Sequence, residues 1–130
     1  MSNKTAIFID DEPLILEIYK KEFQKHGYKV FTATKAKKGF ELIKKYKPNV
    51  AFIDIIMPDV NGFTILKRIK ADPKLKSVAA MMLTNIDSPE ARRRCTQLGC
   101  IYFLVKPLHE PKDIVKMTNQ ILSAQKALKK

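Results

Sequence analysis

Four nearly unbroken apolar runs, Ala6–Ile9, Val50–Ile53, Val78–Leu83 and Ile101–Val105, set the tightest limit on what this chain can fold into. A strand with one wet face alternates apolar and polar residues. An unbroken run belongs to a strand covered on both faces, as in a parallel sheet packed between helices. A fifth, weaker strand is expected at Lys29–Thr32.

The segments between these runs carry helical spacing. Ile15, Ile18, Tyr19 and Phe23 mark the first helix, Ala36, Phe40 and Ile43 the second, and Ile65, Leu66 and Ile69 the third. The fourth has explicit ends, with Ser88 at the N-cap, Pro89 at the first helical position and Gly99 just past the last turn. The last begins near Pro111, and its stripe of Ile114, Met117, Ile121, Ala124 and Leu128 is expected to pack along its whole length on the sheet.

Alternating strand and helix units with right-handed crossovers place helices on both faces of a parallel sheet. Five such units cannot close an eight-stranded barrel. The sequence therefore predicts an α/β, flavodoxin-like, doubly wound five-stranded parallel sheet in the order 2-1-3-4-5 with five helices. In that architecture the ligand crevice lies at the carboxyl ends of strands 1 and 3. The 130 residues fit one domain, 1–130, with a core over about 4–126 and a basic C-terminal tail after the last helix.

The polar residues that follow the strands converge on that crevice: Asp10 and Asp11 after the first, Asp54 after the third, Thr84 after the fourth and Lys106 after the fifth. Three carboxylates around one crevice repel each other unless a cation sits among them, and an all-oxygen site open to water suits Mg²⁺. A hydroxyl and an ammonium facing the same crevice suit the oxygens of a phosphoryl group. This is chemistry for phosphoryl transfer through an aspartyl phosphate. The acidic pair taken alone has a plainer reading, as a cap on the helix starting at Pro13. Thr84 alone reads as a strand-end residue and Phe103 alone as core; each gains a role only from its neighbours.

Ile9-Asp10-Asp11-Glu12-Pro13, Asp54-Ile55-Ile56-Met57-Pro58 with Gly62, Leu83-Thr84, and Phe103-Leu104-Val105-Lys106-Pro107 together resemble the response-regulator receiver family of two-component signalling. The resemblance covers essentially the whole chain, with four motifs in order, each at a strand end. It implies that Asp54 is the nucleophile and phosphoacceptor. It further implies that Asp11 binds Mg²⁺ directly, together with Asp54 and the backbone carbonyl of Ile56, while Asp10 helps through water. Lys106 would pair with the Asp54 carboxylate and then with the phosphoryl oxygens. Thr84 and Phe103 would form the switch, and a cis Lys106–Pro107 bond would aim the lysine inward.

The same resemblance implies a sensor histidine kinase or histidine phosphotransfer protein as phosphodonor and a downstream protein as output. Catalysis would extend only to the chain's own phosphorylation and dephosphorylation. Three positions depart from the usual pattern: Asn85 where a small residue is common, and Ile56 and Ile86 where many relatives carry polar side chains beside the attacking-water path.

Charge widens the range of partners, since 25 Lys+Arg against 13 Asp+Glu give a formal net charge of +12. Such a field suits acidic proteins, nucleic acid or anionic lipid. A nucleic-acid-binding module with a vestigial acidic site is the rival reading, yet the sequence has no aromatic-rich RNA motif and no recognition helix. A Mg²⁺-dependent phosphohydrolase would need a substrate pocket or cap insertion, for which the short loops leave little room. Arg92, Arg93 and Arg94 read as a solvated helix face or, in the sharper reading, as a partner surface that Lys112 and Lys116 extend. Cys95 and Cys100 lack CxxC spacing and are expected as two reduced thiols, and His26 and His109 receive no role. No apolar stretch approaches the roughly 20 residues that span a bilayer, so a cytoplasmic protein is expected.

Overall fold

The structure, a computed structural model, describes residues 4–128. Along the chain run β1 (Thr5–Ile9), α1 (Pro13–Lys25), β2 (Lys29–Ala33), α2 (Ala36–Tyr46), β3 (Val50–Ile53), α3 (Gly62–Ala71), β4 (Ala79–Thr84), α4 (Pro89–Gln97), β5 (Phe103–Val105) and α5 (Pro111–Leu128). Short 3₁₀ turns occupy Pro73–Leu75 and Lys106–Leu108. All strand pairs are parallel, and the sheet order is β2-β1-β3-β4-β5, as the apolar runs predict.

Two apolar layers cover the sheet. On one face α1 and α5 pack Leu16, Tyr19, Phe23, Ile114 and Val115 against Phe8, Phe52 and Met81. On the other, α2, α3 and α4 pack Ala36, Ile43, Ile65, Leu66, Ile69 and Cys95 against Ile7, Ile9, Ile53 and Met82. Consecutive strand residues therefore serve opposite layers, which is why the runs are continuous in sequence.

Register carries function. Ile9 pairs with Ile53, and Thr84 pairs with Val105. The residues that follow, Asp10, Asp54 and Lys106, thus emerge together at one edge of the sheet.

Several expectations shift. In α1 the buried residues are Leu16, Tyr19 and Phe23, whereas Ile18 is 52% exposed. Five apolar residues lie within Leu14–Tyr19, so two stripes fit the helical period and packing selects the one centred on Leu16. β5 begins at Phe103; Ile101 and Tyr102 are exposed, although Ile101 N–H still donates to the Ala80 carbonyl (2.8 Å). α5 buries Ile114, Val115 and Thr118, but Ala124 and Leu128 are exposed because the helix outruns the sheet. α5 runs on to Leu128, past the expected end of the core near 126, and Lys129 and Lys130 of the expected tail fall outside the described residues.

An aromatic cluster anchors the α1/α5 layer: Phe8 stacks on Phe52 at 4.6 Å between ring centres, and Phe23 meets Phe52 edge-on at 5.5 Å. Phe52→Ala should lower stability by about 3–5 kcal/mol, the transfer term plus the cavity it leaves. Urea unfolding should show an earlier midpoint with an unchanged slope. An unshifted midpoint would mean that the layer repacks freely.

Candidate functional site

Lys106 reaches from the end of β5 into the crevice, where its ammonium donates to Asp10 Oδ2 and to Asp54 Oδ2 (3.1 Å). All three residues are buried. Burial opposes the charge on Lys106, but the Asp10 and Asp54 carboxylates outweigh it and hold its pKa above the ordinary lysine value. Burial pushes the Asp10 carboxyl up, against the pull of Lys106 and of the Glu12 N–H that Asp10 Oδ1 accepts at 3.0 Å.

Lys106 attains this position with a trans bond to Pro107, since no peptide bond among the described residues is cis. The expected cis bond is unnecessary: Pro107 sits in the first turn of the Lys106–Leu108 3₁₀ helix, where its fixed φ and missing N–H are harmless.

Asp10, Asp11 and Glu12 bring one carboxylate oxygen each within 4.8 Å of one another. Asp10 is buried, while Asp11 and Glu12 are exposed. Hard oxygen donors with water access are the set that Mg²⁺ takes, so the residues fit the ion. Glu12 is an addition to the expected ligands, and Asp54 connects to this group through Lys106. The acidic pair does not cap α1: the N-cap is Glu12, with no side-chain cap bond.

The loop after Asp54 is fixed by two contacts that motif spacing does not reveal. Gly62 N–H donates to the Ile55 carbonyl (2.7 Å), and a Cβ at Gly62 would overlap the Asp54 carbonyl oxygen, so only glycine lets α3 start this close to the site. Asp59 accepts from the Ala36 and Lys37 N–H groups (2.9 and 3.0 Å), capping α2 from across the loop because the N-cap Lys35 offers no acceptor. The Lys37 and Ala36 N–H groups hold the Asp59 carboxyl below its ordinary pKa, and the signal missed in the sequence is that a cap can come from another segment.

Thr84 is buried, and its Oγ1 accepts from Ile86 N–H (3.3 Å). Phe103 is half-buried, and the Arg92 guanidinium lies over its ring at 5.0 Å while donating to Asp87 Oδ1 at 2.9 Å. Arg94 covers Phe63 (5.1 Å), and Arg93 is exposed. Lys112 and Lys116 instead line a cleft with His26 and Asn119 between α1 and α5, on the opposite face of the sheet from α4. His26 Nδ1 lies 3.0 Å from the Glu22 carbonyl of its own helix. Cys95 and Cys100, expected as separate thiols, are joined as a disulfide. A further feature absent from motif reasoning is a set of exposed apolar side chains at the crevice end of the sheet: Leu14 (81% exposed), Ile56 (62%) and Leu108 (65%).

The sequence profile of the response regulator receiver domain matches residues 6–119. The chain belongs to the response regulator receiver family. The two-component response regulator ORR3 of Oryza sativa subsp. indica is 29% identical over 94% of this chain and 98% of its own length. Protein PilH of Pseudomonas aeruginosa is 29% identical over 90% of this chain and 96% of its own. A CheY-like receiver domain protein from Methanospirillum hungatei superposes with a TM-score of 0.88 at 28% identity, over 97% of this chain and 98% of that one. The general function of these receivers is a phosphorylatable aspartate switch, and they generally bind Mg²⁺ at an acidic site.

Among the described residues of this receiver, Lys106 is the one cation bonded to both buried carboxylates. Lys106→Ala should cost about 3–5 kcal/mol, since removing one partner leaves buried charge uncompensated. Adding Asp10→Asn should return part of that loss by removing one of the facing charges. Chemical denaturation of the single and double variants checks this, and equal stabilities would show that the pair is not stabilising.

Proposed function

We propose that this receiver accepts a phosphoryl group on Asp54 from the phosphohistidine of a sensor kinase or histidine phosphotransfer protein, and signals to a downstream protein. The observation that carries the reading is the Lys106 ammonium held between Asp10 and Asp54 at the mouth of an acidic cluster. It orients Asp54 and keeps it within reach of a cation that can follow the phosphoryl oxygens.

In the transfer an Asp54 carboxylate oxygen attacks phosphorus, the P–N bond to the donor imidazole breaks, and the imidazole keeps the electron pair and takes up a proton. Asp10 and Asp11, with Asp54 and the Ile56 carbonyl, would hold Mg²⁺, and Glu12 stands within reach of the same ion. Bound there, Mg²⁺ would neutralise charge developing on the phosphoryl oxygens. Lys106 exchanges its bond to Asp54 for a phosphoryl oxygen, and Thr84 gives up the Ile86 N–H to turn its hydroxyl inward. Phe103 then follows into the space that Thr84 leaves.

Leu14, Ile56 and Leu108 form an apolar rim at the crevice, which suits docking of a protein donor rather than a small phosphate ester alone. Arg92, Arg93 and Arg94 on α4 form the output surface next to Phe103. Residues 1–130 act as one receiver domain, and in a two-component role its compartment is the cytoplasm; no helix among the described residues is long and apolar enough to cross a membrane.

Asp54→Asn should abolish labelling by acetyl phosphate or a cognate kinase, because an amide is not the nucleophile. Undiminished acid-stable labelling of that variant would place the phosphoacceptor elsewhere. Lifetime is a second test. Ile56 and Ile86 offer no hydrogen bond to a water in line with the phosphorus, and a missing contact of that kind is worth about 1–3 kcal/mol, roughly ten- to hundredfold in rate. The Ile56→Asn, Ile86→Glu double variant should release phosphate faster by that factor at saturating Mg²⁺. Equal or slower release, with the fold intact, would show that these side chains do not set the lifetime.

A further inference from the structure

α4 ends in a glycine cap with its hydrogen bonds complete. Gly99, at φ 79°, donates its N–H to the Thr96 carbonyl (3.1 Å), and Cys100 donates to the Cys95 carbonyl (3.0 Å). In this type of cap, the residue after the left-handed glycine regularly makes a side-chain contact with the helical residue whose carbonyl it bonds. Here those two positions are Cys100 and Cys95. Helix-capping geometry alone thus brings two sulfurs together, with a Cα–Cα separation of 5.3 Å, inside the window of about 4.4–6.8 Å that a disulfide needs.

We propose that Cys95 and Cys100 form a reversible dithiol–disulfide modification site whose oxidised form fastens the end of α4 to the segment leading into β5 and damps the switch. The damping rests on the aspartyl-phosphate reading above; the redox site itself does not. Cys95 is buried, whereas Cys100 is half-buried and reachable. The Lys70 side chain lies across Gly99, its Nζ 3.8 Å from where a Cβ would stand. That ammonium offsets the negative end of α4.

In a reducing compartment such pairs are transient and sense redox state. The Cys100 thiolate attacks one sulfur of a low-molecular-weight disulfide such as oxidised glutathione, the S–S bond breaks, and one glutathione thiolate leaves. Cys95 then attacks the Cys100 sulfur, passes its proton to a departing thiolate, and expels the second glutathione. Two cysteine thiols are oxidised and one glutathione disulfide is reduced to two thiols.

The location gives the linkage its effect. Cys100 is followed by Ile101 and Tyr102, whose backbone groups bond to Ala80 and Met82 of β4, and then by Phe103. At its other end α4 reaches the same ring through Arg92. A bridge between residues only five apart constrains little of the unfolded chain, so its consequence is local stiffening of the cap.

The test equilibrates the full chain in glutathione buffers, then measures alkylated intact mass and backbone amide exchange, with and without beryllofluoride and Mg²⁺. We expect a monomer lacking both free thiols, with exchange at Leu98 to Tyr102 slowed by at least about tenfold relative to the reduced chain. We also expect a smaller beryllofluoride-induced shift at Phe103 in the oxidised form. Cys100→Ser, at the half-buried position, should abolish the oxidant's effect, so the control does not depend on Cys95→Ser folding. Mixed glutathione adducts that never close, or only intermolecular dimers, would overturn the site. Closure with unchanged exchange and an unchanged beryllofluoride response would overturn the fastening. If the reduced chain itself ignores beryllofluoride, the aspartyl-phosphate reading and the damping fail together, and closure with amide exchange alone decides the redox site.

Discussion

The Lys106 ammonium between Asp10 and Asp54 is the interaction on which the crevice depends. Two carboxylates cannot stay ionised side by side in a buried site unless a cation compensates them, because desolvation and mutual repulsion both favour protonation. Lys106 supplies that cation, yet one positive charge against Asp10, Asp11, Glu12 and Asp54 leaves the crevice negative. A chain with a net charge of +12 therefore keeps a local field that attracts a divalent cation. The pairing is also exchangeable. A lysine bonded to a carboxylate oxygen can pass to a phosphoryl oxygen with little change in its own solvation, so the resting pair and the proposed phosphorylated state use the same side chain without exposing it.

Backbone register brings these groups together before any side chain chooses a rotamer. With Ile9 opposite Ile53 and Thr84 opposite Val105, Asp10, Asp54 and Lys106 sit one step beyond the last paired positions, where strands give way to loops. The loops are then tied by specific contacts. Gly62 lets α3 start against the Asp54 carbonyl, and Asp59 anchors the same loop to the first turn of α2. The site is thus precise because its parts hang from a sheet buried on both faces, with only short segments left free to move.

Most of this frame was legible in the sequence. Unbroken apolar runs report burial on two faces, and the residues that follow them report the crevice, so strand order and the convergence of Asp10, Asp54, Thr84 and Lys106 could be inferred without coordinates. Where the reading failed, local pattern was degenerate or the deciding partner was distant. Leu14 to Tyr19 offers two helical stripes, and only packing against β1 and β3 selects Leu16 over Ile18. The stripe of α5 continues to Leu128 although the sheet beneath it does not. The cap glycine Gly99 is recognisable in the sequence, whereas the hydrogen bond from Cys100 N–H to the Cys95 carbonyl, by which the same motif sets the two cysteines together, appears only in the folded cap.

A contiguous set of contacts leads from the crevice to the surface. Thr84 Oγ1 holds the Ile86 N–H, Asp87 is the next residue and accepts from Arg92, and Arg92 covers Phe103. Contiguity alone does not make coupling; coupling requires an element with two arrangements that the site can bias. The β4–α4 loop meets that condition, because in the proposed switch Thr84 cannot turn toward a phosphoryl group and keep the Ile86 N–H. In that switch, withdrawing the bond would move the backbone that carries Asp87, and with it the anchor that aims Arg92 at the aromatic ring. Under the proposed function, the guanidinium is the point where a change in the crevice would reach both the half-buried Phe103 and the exposed face of α4.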